Sequence, residues 1–225
     1  MRIIRSYTAL LPIALVILGV LINIKPTQAA AVTGFNAGRI MDDAIFIKKS
    51  SMSATQIQNF LNAKMPNCDT NGTKTSEWGG GTRAQYGKAH GNPAPFVCLK
   101  NYKENPTVTG NSANNWWKNG RTNLPGSTLK TSGAKTAAQI IYQAAQDYSI
   151  NPQVLIVLLQ KEQGLVTNDW PWIYQYRSAT GYGCPDNAAC ATEYYGLYNQ
   201  VRWAARMFRA ILNQSDTWYT PYMLS

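Results

Sequence analysis

The chain has 225 residues, of which 45% are apolar and only 14% are charged, and its formal net charge is +10. This length allows one domain of ordinary size with appendages, and the apolar fraction is sufficient for a hydrophobic core. The single histidine excludes zinc amidases and zinc peptidases, which need several histidine ligands. The sequence shows no lysine and arginine cluster and no nucleic-acid-binding motif, so nucleic acid is not an expected partner.

Residues 1–29 have the pattern of an export signal. Two arginines precede an apolar run over residues 7–24, and the small pair Ala29-Ala30 suits a signal peptidase. The apolar run is also about long enough to span a bilayer, so a cleaved signal peptide and a retained N-terminal anchor both remain open. Either outcome predicts a secreted or envelope-associated protein that contacts the membrane only through this segment.

The positive charge of the exported part indicates a second class of partner. Residues 1–29 hold three basic residues and no acid, so their removal lowers the net charge from +10 to +7. Such a charge attracts anionic polymers over long range, and outside a bacterial cell these are anionic wall polymers. The competing interpretation is that the charge serves solubility alone.

The chain has four cysteines, and its N-terminal pattern predicts export. An even number of cysteines in an exported chain favours two disulfides. Local pairing is the simplest of three connectivities, joining Cys68 to Cys98 and Cys184 to Cys190. Zinc is disfavoured because the chain has no C-x-x-C pair, and we expect no metal and no other cofactor. His90 lies in a glycine- and proline-rich loop and is expected to be exposed and inert, although a peptide-cleaving amidase would depend on it.

Residues 30–133 are predicted to form a loop-rich N-terminal region with one helix. Residues 34–52 read as extended or loop-like, and a helix follows Ser53, with Gln56 completing a capping box. Residues 67–133 read as irregular and tied by a disulfide. The pair Trp116-Trp117 in this stretch is interpreted as core, with stacking on sugars as the alternative.

Residues 134–225 are predicted to be helical, which makes the fold class mainly α. One helix begins at Ala137 and runs along an apolar face. Asn151 and Pro152 start a second helix that ends near Gln163, where Gly164 supplies the stop. An aromatic loop then leads to a last helix, predicted over residues 193–212.

Glu162 is the residue whose surroundings best suit it to acid catalysis. It shares a helix face with Leu155, Leu158 and Leu159, whereas Lys161 is expected to point elsewhere. Partial burial and the negative end of the helix dipole both disfavour the carboxylate, so the group is expected to hold its proton. A carboxylic acid of this kind can protonate a glycosidic oxygen. The alternative is an ordinary surface glutamate.

The stretch IIYQAAQDYSINPQVLIVLLQKEQGL resembles the opening of the soluble lytic transglycosylase and goose-type lysozyme superfamily. There, a helix, a short turn and a buried second helix end in a catalytic glutamate, whose counterpart here is Glu162. Gln163 replaces the usual serine, and SATGYG stands near the place of a Gly-Leu-Met-Gln stretch. The stretch QKEQGL…YRSATGYGCPD…C…YYGLYNQV looks closer to secreted lysozyme-like wall proteins of actinobacteria and related small-genome bacteria.

This resemblance implies a lysozyme-like helical domain over residues 134–225 that cleaves peptidoglycan glycan strands. Glu162 would act as general acid and base at the bond between N-acetylmuramic acid and N-acetylglucosamine. A hydrolase would use a second carboxylate, for which Asp186 is the main candidate beside Asp169 and Glu193, and a lytic transglycosylase would not. A non-catalytic wall-binding module or adhesin is the alternative function. The expected substrate-binding residues are Gln163, Ser178, Tyr182, Tyr195 and Asn199.

Overall fold

The computed structural model describes residues 40–106 and 133–213, and residues from Gly38 onward cluster into one compact unit. The predicted export signal, the pair Trp116-Trp117 and the C-terminal residues 214–225 lie outside the described residues. In the two described ranges, no helix combines the length and the apolar character that crossing a membrane requires.

The described part of the chain is mainly α-helical, which confirms the predicted fold class. Its one sheet in these ranges is a short antiparallel pair in which Lys103 lies opposite Thr136. In chain order, the elements are α1 (Asp43–Phe46), α2 (Ala54–Lys64), α3 (Arg83–Ala89), β1 (Lys103–Glu104), β2 (Lys135–Thr136), α4 (Ala137–Tyr148), α5 (Pro152–Gln163), α6 (Ile173–Arg177) and α7 (Leu197–Leu212).

The hydrophobic core forms around α4, which packs against α2, α5 and α7. Each of these helices contributes apolar side chains spaced three or four residues apart, as an amphipathic helix requires. Burial of this surface is the main source of the domain's stability. The central core residues include Ile57, Leu61, Ile140, Ile141, Ala145, Leu155, Leu159, Leu197, Val201 and Ala205.

Side-chain caps define the starts of several helices. Ser53 and Gln56 form the predicted capping box of α2, and Thr136 caps α4 in the same way. A further box, made by Thr82 and Gln85, starts α3 within the stretch that was predicted to be irregular. That prediction was wrong because α3 is a short helix containing Gly87, so its apolar periodicity is weak.

The predicted bounds of α5 are confirmed. The Asn151 side chain accepts a hydrogen bond from the Gln153 N–H at 2.9 Å, and Gly164 ends the helix in the left-handed conformation. Asn151 also donates from its side chain to the carbonyl oxygen of Ile45 at 3.0 Å. This bond attaches the start of α5 to α1, whose residues were predicted to be extended.

The last helix, α7, begins later than predicted. Glu193 lies in a 3-10 turn, and Gly196, at φ +96°, separates this turn from the helix. The Glu104 carboxylate of β1 accepts hydrogen bonds from the N–H groups of Leu197 and Tyr198, at 3.1 and 2.7 Å. A carboxylate suits the positive end of a helix, so a residue distant in sequence sets the start of α7.

Two further features concern the loops. The segment predicted as an aromatic loop contains the short helix α6, before which the Trp172 N–H donates to the Gln175 side chain at 2.7 Å. The two predicted disulfides are present, Cys68 to Cys98 and Cys184 to Cys190, with Cα atoms 5.9 and 4.0 Å apart. The local connectivity is therefore confirmed.

Candidate functional site

A groove of about 890 Å³ lies at the C-terminal end of α5. One side is formed by the loop over residues 180–186, which includes one cysteine of the second disulfide. The opposite side includes the middle of α7, so a loop and a helix distant in sequence from α5 complete the groove. The other lining residues are Leu158, Glu162, Ala191, Glu193, Tyr194, Ala204, Met207 and Phe208.

Glu162 enters this groove from the last turn of α5. Leu155 and Leu159 on the same helix face are buried in the core, while Leu158 lines the groove beside the glutamate. The residue as a whole is exposed, and 30% of its side-chain surface is accessible. The carboxyl group therefore meets both the groove and solvent, and a ligand in the groove can reach it.

Lys161 does not point away from Glu162, contrary to the sequence-based expectation. Its ammonium nitrogen lies 2.7 Å from Glu162 Oε1, although the two residues are neighbours in sequence. The long lysine side chain is flexible enough to turn back towards the next residue at a helix end. The two groups form an ion pair. Because 75% of the Lys161 side chain is exposed, solvent weakens this attraction.

Two glycines allow the loop over residues 180–186 to approach the groove closely. Gly181 has φ +71°, and a Cβ atom placed there would lie 3.5 Å from Glu162 Oε2. Gly183 also has φ +71°, and its Cβ atom would lie only 2.4 Å from the Tyr194 ring. Only glycine adopts this conformation without strain, and at position 183 only glycine also leaves room for the Tyr194 ring.

Gln200 on α7 holds this loop in place. The side chain is fully buried, and its Oε1 accepts hydrogen bonds from the N–H groups of Thr180 and Tyr182 at 3.1 and 3.2 Å. Its Nε2 donates to the carbonyl oxygens of Tyr182 and Tyr194 at 2.9 and 2.8 Å. One neutral amide thus satisfies the main chain on both sides of the groove wall.

An aromatic cluster supports the groove from behind. Tyr182, Tyr194 and Trp203 pack together with ring centroids 4.9 to 5.5 Å apart. The guanidinium groups of Arg202 and Arg206 lie over the Trp203 ring, at 5.0 and 5.1 Å from its centroid. Such contacts are favourable in a desolvated setting, so this small second core fixes the position of the loop.

The three candidate second carboxylates have different locations. Asp186 and Glu193 line the groove and are exposed. Asp169 does not line it: its carboxylate pairs with Arg83 at 2.9 Å and with Lys74. Burial works against ionisation of Asp169, but the hydrogen bonds from Lys74 and Arg83 outweigh it and lower its pKa. This arrangement gives Asp169 a structural function.

The expected substrate-binding residues are only partly brought together. Tyr182 lines the groove. Gln163 instead donates to the carbonyl oxygen of Ser178 at 3.3 Å, and neither of these two residues is among the described residues that line the groove. Asn199 is buried and donates to the carbonyl oxygen of Tyr195 at 3.0 Å, and neither of them is among the described residues that line the groove.

Sequence reasoning missed Gln200. The available signal for Gln200 was a polar residue on the apolar face of the last helix, between Leu197 and Ala204. A buried amide in such a position needs several partners, and free main-chain groups of a nearby loop are the usual ones.

His90 is not among the described residues that line the groove. It is exposed, stacks on the Tyr86 ring at 4.0 Å, and its Nδ1 lies 2.8 Å from the Tyr86 carbonyl oxygen. Within residues 40–106 and 133–213, no three histidine, cysteine, aspartate or glutamate side chains are grouped so that they could hold a metal ion.

The fold and the groove define a mainly helical, disulfide-linked domain with carboxylates around the C-terminal end of α5. The chain matches the family described as LasA, N-terminal domain, over residues 39–217, and it belongs to this family. No curated protein matches the chain. No solved structure matches it either.

Proposed function

We propose that this protein cleaves the glycan strands of bacterial peptidoglycan between N-acetylmuramic acid and N-acetylglucosamine. The proposal includes an exported, lysozyme-like domain that meets peptidoglycan, and secondarily anionic wall polymers, outside the cell membrane. The observation that carries it is the position of Glu162, whose partly accessible carboxyl group lines a groove of about 890 Å³. Such a volume accommodates a small ligand or part of a polymer, and saccharide rings fall in this range.

Glu162 is the general acid in the proposed reaction. Its proton moves to the oxygen that links the two sugars, the bond to C1 of N-acetylmuramic acid breaks, and an oxocarbenium-like transition state develops. In the transglycosylase route, the muramoyl 6-hydroxyl oxygen then bonds to C1 and gives its proton back to Glu162. In the hydrolase route, water takes the place of this hydroxyl and a second carboxylate assists, for which Asp186 and Glu193 are available.

The immediate surroundings of the acid are Lys161 and Gly181. The Lys161 ammonium nitrogen lies 2.7 Å from Glu162 Oε1, and 75% of the lysine side chain is exposed, so solvent weakens the attraction. Gly181 lies against the carboxyl group without a side chain, and this leaves space for the sugar.

The test is release of soluble fragments from purified peptidoglycan. We expect the Glu162→Gln variant to lose at least about a hundredfold in rate, because loss of a general acid typically has this effect. Asp186→Asn and Glu193→Gln separate the two routes, because both variants keep the activity of a transglycosylase, whereas removal of the assisting carboxylate slows a hydrolase. Mass spectrometry of the products separates 1,6-anhydro ends, left by a transglycosylase, from the reducing ends left by a hydrolase. Equal release by wild type and Glu162→Gln contradicts the proposal.

A non-catalytic wall-binding module is the second candidate. Two observations favour it. The carboxyl group of Glu162 is engaged in an ion pair with Lys161, and Gln163, which stands where the resembling enzymes carry serine, donates to the carbonyl oxygen of Ser178. Co-sedimentation with insoluble peptidoglycan checks this function. If wild type and Glu162→Gln bind equally and release no fragments, the module is the correct function and the enzyme is not.

A further inference from the structure

A second pocket, of about 390 Å³, lies where the segment around the start of α6 meets a loop of the N-terminal region. Aromatic side chains, including Trp78, Trp172 and Tyr174, form part of its wall beside polar and charged residues. These residues come from a loop of the N-terminal region and from the segment around the start of α6. None of them lines the groove, so the pocket is a separate feature of the described residues.

The aromatic side chains form one continuous surface that solvent can reach. Trp78 is 59% exposed and Tyr174 is 52% exposed, which is unusual for side chains of this size. The ring centroids of Trp78 and Trp172 are 5.8 Å apart, and those of Trp172 and Tyr174 are 6.0 Å apart. Rings at these distances touch each other, so a ligand binds over their outer faces and not between them.

Trp170 supports this surface from the interior. It is 4% exposed, and its ring centroid lies 4.9 Å from that of Trp78. The indole N–H groups of Trp170 and Trp172 are buried and have no hydrogen-bond partner among the described residues. A buried donor without a partner is costly, and a hydroxyl or carbonyl oxygen of a ligand in the pocket would satisfy it after a small adjustment.

The charges beside the pocket exclude an anionic ligand. Arg83 pairs with Glu77, with Asp169 at 2.9 Å and with Asp69 at 3.5 Å, and Lys74 pairs with Asp169. These three carboxylates and two cations leave a net charge of −1. A phosphate or carboxylate would therefore meet no available cation here and a slightly negative field.

Hydrogen bonds hold the main chain around the pocket in place before any ligand arrives. The Asn168 side chain accepts from the main-chain N–H of Trp170 at 2.8 Å and donates to the Gln175 side chain at 3.1 Å. Gln175 in turn donates to the carbonyl oxygen of Gln163 at 2.7 Å, which attaches the pocket to the end of α5. A preformed site binds with little loss of conformational entropy.

From these observations we infer that the Trp78–Trp172–Tyr174 pocket binds a neutral saccharide ring. The apolar face of a pyranose stacks on the aromatic surface, its hydroxyl or N-acetyl groups meet the amide and indole groups, and no charge is required. This inference goes beyond the proposed function, because binding here does not involve Glu162 and holds for a catalytic domain and for a binding module alike.

The test uses the full chain with Glu162→Gln, which prevents cleavage, and chitotetraose and cellotetraose as probes. The indole N–H signals are followed by NMR and assigned by single tryptophan-to-phenylalanine substitutions. We expect saturable shifts at Trp78 or Trp172 with chitotetraose. A parallel response to cellotetraose shows that the sugar ring alone suffices, and its absence shows that the N-acetyl group is recognised; both outcomes support the inference.

Substitutions in the pocket separate binding from folding. Because Trp78 is largely exposed, Trp78→Ala is expected to keep the fold and to weaken chitotetraose about tenfold, the loss of one stacking contact. Ile173→Ala is the matched control: this side chain is 50% exposed and does not line the pocket, so its affinity is expected to stay unchanged.

Three results would overturn the inference. The first is a saccharide response confined to Trp203, the tryptophan behind the groove, which leaves the proposed function intact. The second is no response at any tryptophan. The third is a response of Trp78 or Trp172 to tetramethylammonium or to an oligothymidylate, without one to either saccharide, since it would show a cation site or a base-stacking site.

Discussion

Two regions of the domain hold irregular loops in place with different kinds of side chain. Beside the groove, the neutral amide of Gln200 bonds to main-chain groups of Thr180, Tyr182 and Tyr194. Beside the aromatic pocket, the guanidinium group of Arg83 collects carboxylates, and these in turn bond to the surrounding loop. Both arrangements order loops that lack regular secondary structure.

The difference lies in what each region depends on. The Gln200 contacts contain no ionisable partner, so their strength does not change with pH. The Arg83 contacts need ionised carboxylates, and they hold together a region that also carries the Cys68–Cys98 disulfide. Because the domain contains both arrangements, the Gln200 contacts of the groove wall are independent of pH, whereas the Arg83 contacts beside the aromatic pocket weaken in acid.

Loss of Arg83 is expected to have the largest effect on stability. Arg83→Met leaves the Asp69 carboxylate, whose side chain is 4% exposed, without its cation. Removal of one partner from a buried pair costs about 4 kcal/mol in the free energy of unfolding. Lys74→Met is the control, because it breaks an exposed pair worth about 1 kcal/mol or less. Urea unfolding with intact disulfides measures both, and equal losses would contradict a central function of Arg83.

Loss of Gln200 is expected to follow. Gln200→Leu keeps a similar volume but leaves buried N–H and C=O groups of the groove wall unsatisfied, at a cost of about 3 kcal/mol. Unlike the Arg83 variant, it is expected to reduce glycan cleavage or binding in the groove as well. Unchanged urea unfolding in this variant would show that the amide does not hold the loop.

Gln200→Glu sharpens the comparison further. It places a carboxylate against the carbonyl oxygens of Tyr182 and Tyr194 and so turns the neutral region into an ionisable one. Burial and these oxygens raise the pKa of the new carboxyl group, so the variant is expected to lose stability as pH rises. Parallel unfolding curves at pH 5 and pH 8 would contradict this expectation.

Glycine substitutions test how tightly the groove wall is packed. Gly183→Ala puts a Cβ atom 2.4 Å from the Tyr194 ring, whereas Gly91→Ala, at the similar φ of +78°, meets nothing within 4 Å. Both pay the strain of a left-handed backbone, about 1 kcal/mol. We expect Gly183→Ala to cost about 2 kcal/mol more, the usual penalty of overpacking. Equal shifts in unfolding midpoint would place the cost in the backbone alone.

Acidic pH is expected to have the smallest effect on the free energy of unfolding, and this effect is expected to come from the carboxylates around Arg83. The side-chain hydrogen bond from Arg83 lowers the pKa of Glu77, and for Asp169 the side-chain hydrogen bonds from Lys74 and Arg83 outweigh the opposing effect of burial. Depressed values mean that the stabilisation is present above the unfolded pKa of about 4 and is lost as pH falls through the lower folded pKa. Arg83→Met is expected to flatten this decline between pH 5 and pH 3. If the stability of Arg83→Met falls with pH as steeply as that of the wild type, the loss does not come from the Arg83 contacts.

Local sequence patterns predicted the helices that have strong local signals. Ser53 with Gln56 marks the start of α2, and Asn151-Pro152 with Gly164 marks both ends of α5. The same logic fails for α7, because its start depends on Glu104, which is distant in sequence. The short helices α3 and α6 were not predicted because they contain too few residues to show a periodic apolar face.

The candidate site was predictable to a similar degree. The helix face of Glu162 follows from its spacing to Leu155 and Leu158, and the structure places it in a groove. The support from Gln200 was not predictable, because its partners are fixed only when the loop over residues 180–186 closes against α7. The turn of Lys161 towards Glu162 was also missed, since helix geometry fixes the Cβ direction but not the end of a long side chain.

The central claim is that the carboxyl group of Glu162 meets a glycosidic oxygen in the groove. A crystal structure of the Glu162→Gln variant with a bound peptidoglycan glycan tetrasaccharide tests it most directly. The account predicts an inter-sugar oxygen within about 3 Å of the side-chain amide at position 162, the distance of a hydrogen bond. A glycan that binds only elsewhere, or crosses the groove with its glycosidic oxygens beyond the reach of that side chain, would contradict the account.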